Sequence, residues 1–173
     1  MAITKIATVD VPLLGQASID FTSIPSTYTD LMLVYSIRTT QVTTSTSVSI
    51  TINGSASNFS MRGLYGNGSS VATFSGTTYA GESTGTTATS NTFSNNTLYI
   101  ANYATSNNKS YSIDSVSESN SGTVIQMIDA GLWSITTAIN AISIVAASGT
   151  FVQYSSATLY GITKGSSGGV TVA

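Results

Sequence analysis

Apolar side chains along this chain recur at every second position, and the fillers between them are mostly Thr and Ser. That is the period of a strand with one face buried, and it uses residues that suit a pleated surface. In the run 31–38, Leu31, Leu33, Tyr35 and Ile37 fall on one face, and Met32, Val34, Ser36 and Arg38 on the other. This predicts a central strand. Val48, Ile50 and Ile52 alternate with Ser49 and Thr51 and stop at Asn53-Gly54, a dipeptide that favours the positive φ angles of a tight turn. Further strands are expected over 3–11, 17–21, 61–65, 71–74, 98–103, 111–116, 123–128, 139–146 and 157–162. Each is short and bounded by Gly, Asn or Ser. Many short strands without intervening helical periodicity predict an all-β fold, an antiparallel β-sandwich that is jelly-roll-like.

Two segments break the alternation. Residues 75–96 are nearly all Gly, Ser, Thr, Asn and Ala, too small to bury much surface alone. They are expected to form a long polar loop or arm, with Tyr79, Glu82 and Phe93 as candidate partner contacts. Residues 164–173 have the composition of a flexible tail that ends in Val170 and Val172, which could add to a neighbour's sheet edge. The domain itself is placed at 1–163.

Charge changes the picture more than length does. Only 7% of the 173 residues are charged and the net charge is −2, against about 25% charged residues in an average domain. A neutral, hydroxyl-rich surface suits a chain that lives packed against other protein. The bases Lys5, Arg38, Arg62, Lys109 and Lys164 are scattered, so no footprint for a phosphate backbone forms and no nucleic-acid partner is expected. Pairing of Arg38 and Arg62 with Asp20, Asp30 or Asp114 is one way to account for those two cations. Polar residues interrupt the most apolar stretch, 124–147, so no membrane span is expected. Residues 1–10 contain no continuous apolar run of a secretory signal.

The chain has no His and no Cys, which removes imidazole and thiolate chemistry together. No metal or other cofactor is expected. Asp114 and Glu118 could serve a glycosidase, since that reaction needs two carboxyl groups around a sugar bond, but strand positions four apart stand well separated. Gly63-Leu-Tyr-Gly66-Asn-Gly68 lacks the lysine and hydroxyl of a phosphate loop and reads as a turn. No enzyme is expected. Tyr65, Tyr79, Tyr103 and Tyr154 fall near expected loops, where aromatic faces can stack on sugars. Tyr35, Tyr99 and Tyr160 sit in apolar strands.

Three stretches, 17–38, 98–103 and 131–133 continuing to 151–162, carry a resemblance. They begin Ala17-Ser-Ile-Asp-Phe, Leu98-Tyr-Ile-Ala-Asn-Tyr and Gly131-Leu-Trp. They resemble the jelly-roll capsid decoration, or cement, proteins of tailed phages, and similar modules in tail fibres. The resemblance implies a virion protein made in the host cytoplasm and placed on the capsid exterior. Its partners would be the major capsid protein and copies of itself in a homotrimer, and no catalytic residues would carry over. The alternative it leaves open is a tail or fibre adhesin that binds host surface glycans.

Overall fold

The structure, a computed structural model, describes residues 2–120 and 124–164. It contains strands and turns, with no helix among the described residues. In chain order the strands are β1 (Ala2–Asp10), β2 (Ser18–Phe21), β3 (Asp30–Ile37), β4 (Ser45–Ile52), β5 (Phe59–Gly66) and β6 (Val71–Gly76). They continue with β7 (Tyr79–Thr84), β8 (Ser94–Ile100), β9 (Lys109–Glu118), β10 (Val124–Trp133), β11 (Ile142–Ala146) and β12 (Ser156–Thr163). An eight-stranded sheet in the order β1-β12-β3-β8-β9-β10-β5-β6 faces a four-stranded sheet in the order β2-β11-β4-β7. Neighbouring strands are antiparallel throughout. The chain passes from sheet to sheet at β2, β3, β4 and β5, returns through β7 and β8, and crosses again at β11 and β12. This is the wrapped path of a jelly-roll-like β-sandwich, with the β5-β6 and β9-β10 hairpins added to the larger sheet.

Alternation fixes which side of each strand is covered. Leu31, Leu33, Tyr35 and Ile37 of β3 are buried with Val48, Ile50 and Ile52 of β4, Leu98 and Ile100 of β8, and Ile142 and Ile144 of β11. The Asn53-Gly54 dipeptide adopts positive φ angles of 50° and 75°, and Ser55 N donates to Ile52 O at 2.9 Å. This turn ends β4, as its sequence predicts, and then hands the chain to the other sheet. The Asn53 carboxamide also ties down the segment before β11, accepting from Asn140 N at 2.9 Å and Ala141 N at 3.1 Å.

The expectation of a protruding arm over 75–96 is corrected. Residues 75 and 76 finish β6, Tyr79–Thr84 form β7 inside the four-stranded sheet, and β8 begins at Ser94. The small side chains let the two layers approach closely. A Cβ on Gly81, whose φ is 96°, would come within 2.6 Å of Asn96 Oδ1 and 3.0 Å of Ser115 Oγ. The polar groups of β7 are then satisfied internally. Glu82 N donates to Ser115 Oγ at 2.9 Å, Ser115 Oγ donates to Asn96 Oδ1 at 2.6 Å, and the Tyr35 hydroxyl donates to Ala80 O.

What remains as loop, 85–93, is tied by backbone hydrogen bonds to residues 41–44 and Ser119 and, across residues 88–92, by one long side chain. The Arg38 guanidinium donates to Thr89 O and Thr92 O at 2.9 Å, and to Thr92 Oγ1 and Ala88 O at 3.2 Å. Arg38 therefore clamps a turn instead of pairing with an acid. Asp30 is taken by Tyr99 Oη at 2.6 Å, Asn102 N at 2.8 Å and the Lys164 ammonium at 3.6 Å. Because hydrogen bonds from a charged donor are worth about 1.5–3 kcal/mol each, Arg38→Ala is expected to cost about 2–3 kcal/mol in urea unfolding after local relaxation. It should also expose the amides of 85–93 to hydrogen exchange before the rest of the protein. Unchanged protection there would show that the clamp is idle.

Candidate functional site

Two features collect the chemistry of this sandwich. The first is an acid layer inside it. On β10 the residues Met127, Asp129 and Trp133 point inward, and Asp129 stands in register between Ile113 of β9 and Gly63 of β5. Its carboxylate lies where a Cβ on Gly63 would be, against the ring of Phe74. It is 1% exposed, and neither oxygen has a hydrogen-bond partner among the described residues. Glu82 of β7 is also buried and accepts from the Tyr79 hydroxyl at 2.8 Å. The Phe74 ring meets Tyr79 edge-on with centroids 5.3 Å apart.

Burial pushes the Asp129 carboxyl up to about 7, and the charge of Glu82 adds to the rise. Burial raises Glu82 as well, opposed by hydrogen bonds from Tyr79 and Ser45. Burial, and then the charge of Asp129, push the Tyr111 hydroxyl up to about 12. Two carboxyl groups without a nearby cation cannot both stay ionised in a low-dielectric interior, so the layer holds a proton near neutral pH. As a metal site it is poor, since no three His, Cys, Asp or Glu residues come together among the described residues.

The second feature is one end of the sandwich, where the loops 11–17, 38–44, 85–93 and 147–155 meet. Phe151 is buried at their centre and exchanges backbone hydrogen bonds with Gln16 at 2.8 and 3.2 Å. Thr40 N donates to Thr150 O at 2.9 Å, and Thr86 N donates to Gln41 O at 2.8 Å. From this cross-linked base project Leu13, 75% exposed, Leu14 at 94%, Val42 at 82% and Tyr154 at 76%. Arg38 is the one charged residue in these loops, and its guanidinium is spent on the 88–92 carbonyls. The outcome is an end with few charges and with apolar tips mounted on a hydrogen-bonded base.

The structure places the sequence-predicted contacts elsewhere. Tyr79 is half-buried, Glu82 buried and Phe93 half-buried, so the first two belong to the acid layer and none stands out on an arm. Val170 and Val172 lie outside the described residues. Of the loop tyrosines, Tyr154 is exposed, whereas Tyr103 is buried with its hydroxyl on Pro25 O. Asp114 and Glu118 lie exposed on the outward side of β9. Leu13 and Leu14 escape a search built on periodicity, yet they carry a signal. Both sit inside a turn closed by Gly15 N donating to Pro12 O at 2.9 Å, and an apolar pair in a four-residue turn has nowhere local to hide. Comparison of the chain with protein-family models, with curated proteins and with solved structures found no match.

Proposed function

We propose that this chain is a structural protein of a tailed-phage virion, which decorates the outside of the capsid shell by binding major capsid subunits through its loop end. The observation that carries the reading is the set of four apolar tips on a charge-poor, hydrogen-bonded base. Preformed loops lose little entropy on docking, and a shell multiplies weak identical contacts by symmetry. The low charge of the whole chain and its resemblance to decoration proteins support the same reading.

The test is location and copy number on purified particles, where many copies on the head are expected. The paired change Leu13→Asp with Leu14→Asp should leave stability within about 0.5 kcal/mol, since both side chains are solvated, while abolishing the coating of bare shells. Full coating by this variant would remove the loop end from the reading. A second reading, a tail or fibre adhesin for host glycans, is favoured by Tyr154, the one loop tyrosine whose ring is exposed for sugar stacking. It requires a few copies at the tail tip and glycan binding that Tyr154→Ala removes.

A further inference from the structure

The four-stranded sheet covers only the inner side of the eight-stranded one, and among the described residues no second layer lies on the outer side. Two rows of outward residues cross β9, β10 and β5 there. Asp114, Ile128 and Leu64 stand in register in one row, and Ser112, Ala130 and Arg62 in the next. Ile128 is 61% exposed and Leu64 52%, and Val71 and Leu132 are exposed toward the margins of the same face. A concavity of about 720 Å³ lies beside Arg62 and is lined by Leu64, Thr73, Ser75 and Ile128 among others.

The charges on this part of the face are few and opposite. Glu118, at the far end of β9, turns to its own loop, where it accepts from Asn120 N at 2.6 Å. Arg62 donates to the carbonyl of its neighbour Met61 at 2.9 Å, and neither Arg62 nor Asp114 forms an ion pair among the described residues. They lie two strands and one residue pair apart, roughly 12 Å by the spacings of a sheet, which is too far to meet within one chain.

We propose that this face pairs two copies of the chain about a twofold axis, with Arg62 of each copy set against Asp114 of the other and Ile128 packed toward the opposing Leu64. An axis lying between the two faces, through the point midway between Ala130 and Ile128, exchanges the positions of Arg62 and Asp114. One cation and one anion placed symmetrically about such a line make a surface complementary to itself, which is what an isologous contact requires. The concavity beside Arg62 receives side chains of the opposing copy. Four strands about 19 Å wide and about 25 Å long cover roughly 500 Å² per partner, which belongs to the small and weak class of interfaces. The pairing does not depend on the virion reading and is measured without particles.

Sedimentation velocity of the full chain, from about 1 µM to 1 mM, is expected to show a monomer–dimer equilibrium with a micromolar dissociation constant. Arg62→Asp and Asp114→Arg should each weaken it at least about tenfold, and the combined exchange should restore it to within a few fold, because the pair is then reversed but still complementary. Since the chain has no cysteine, Ala130→Cys with a short bismaleimide gives an independent reading. Opposing sheets stand about 10 Å apart, so a covalent dimer should form. A monomer throughout, a trimer, single variants that dimerise like the parent, a combined exchange that stays weak, or an Ala130→Cys protein that does not cross-link would each overturn the proposal.

Discussion

Leu33→Asp is expected to leave no folded protein at 25 °C. Leu33 sits in the middle of β3, in register with Leu159 of β12 and Leu98 of β8, and all three are buried. Aspartate there forfeits about 2–3 kcal/mol of apolar burial. It also places a carboxylate where no donor or cation waits, which costs several kcal/mol more whether the group ionises or takes up a proton. The total exceeds about 5 kcal/mol, against roughly 5–15 kcal/mol for the stability of a whole domain. Val34, the next residue, points to the half-buried outer side, and Val34→Asp should cost less than about 2 kcal/mol. Circular dichroism and urea unfolding of the two variants compare the two sides of one strand. A cooperative melt from Leu33→Asp would refute the assignment of the inner face.

That contrast is what the sequence displays best. Period-two patterning locates β3 and β4 and their buried sides, because each strand meets its sheet neighbours in a regular way that a local pattern records. The Asn53-Gly54 turn is legible for the same reason, since its conformation depends on the two residues alone. β7 is illegible because its small polar composition is that of a loop. Only the presence of Asn96 and Ser115 across the sandwich explains why Gly81, Glu82 and Ser83 lie buried. Lys109 is the extreme case. It begins β9 fully buried, with its ammonium donating to the carbonyls of Thr105, Asn107 and Thr136. Two of those acceptors are local, but Thr136 comes from a distant loop, and nothing in the run 105–110 announces that a cation will be enclosed. The acid layer is hidden in the same way. Asp129 and Glu82 are 47 positions apart in the chain, and their coupling exists only once β7 is laid over β9 and β10.

The acid layer sets the largest expected dependence on conditions. Asp129 is held at about 7 in the folded chain, against 3.8 for an ordinary aspartate. Between those values the folded protein keeps a proton that the unfolded chain has released. Stability from this group is therefore complete below about pH 4, declines as pH rises, and is fully lost above about pH 7, a change of about 4 kcal/mol. Glu82, raised by burial, works in the same direction. The groups facing Asp129 from β3, β7 and β9 are Tyr35, Tyr79, Glu82 and Tyr111, none of which supplies a positive charge. Asp30 works the other way. Burial pushes its carboxyl up, but the hydrogen bonds from Tyr99 and Asn102 and the charge of Lys164 outweigh that and hold it low, so stability from Asp30 is lost only in acid, as pH falls through its folded value. Maximum stability is accordingly expected near pH 4–5, lower than the range of about pH 5–8 usual for proteins. Asp129→Asn carries no charge at any pH, so it should flatten the decline between about pH 4 and 7 and raise stability at pH 8 by about 3 kcal/mol, allowing for an amide that also lacks partners. Urea unfolding of parent and variant at about pH 5 and pH 8 measures both. A parent protein as stable at pH 8 as at pH 5, or a variant no more stable than the parent at pH 8, would mean that Asp129 is already ionised and compensated in the fold, and that the buried pair stores no proton.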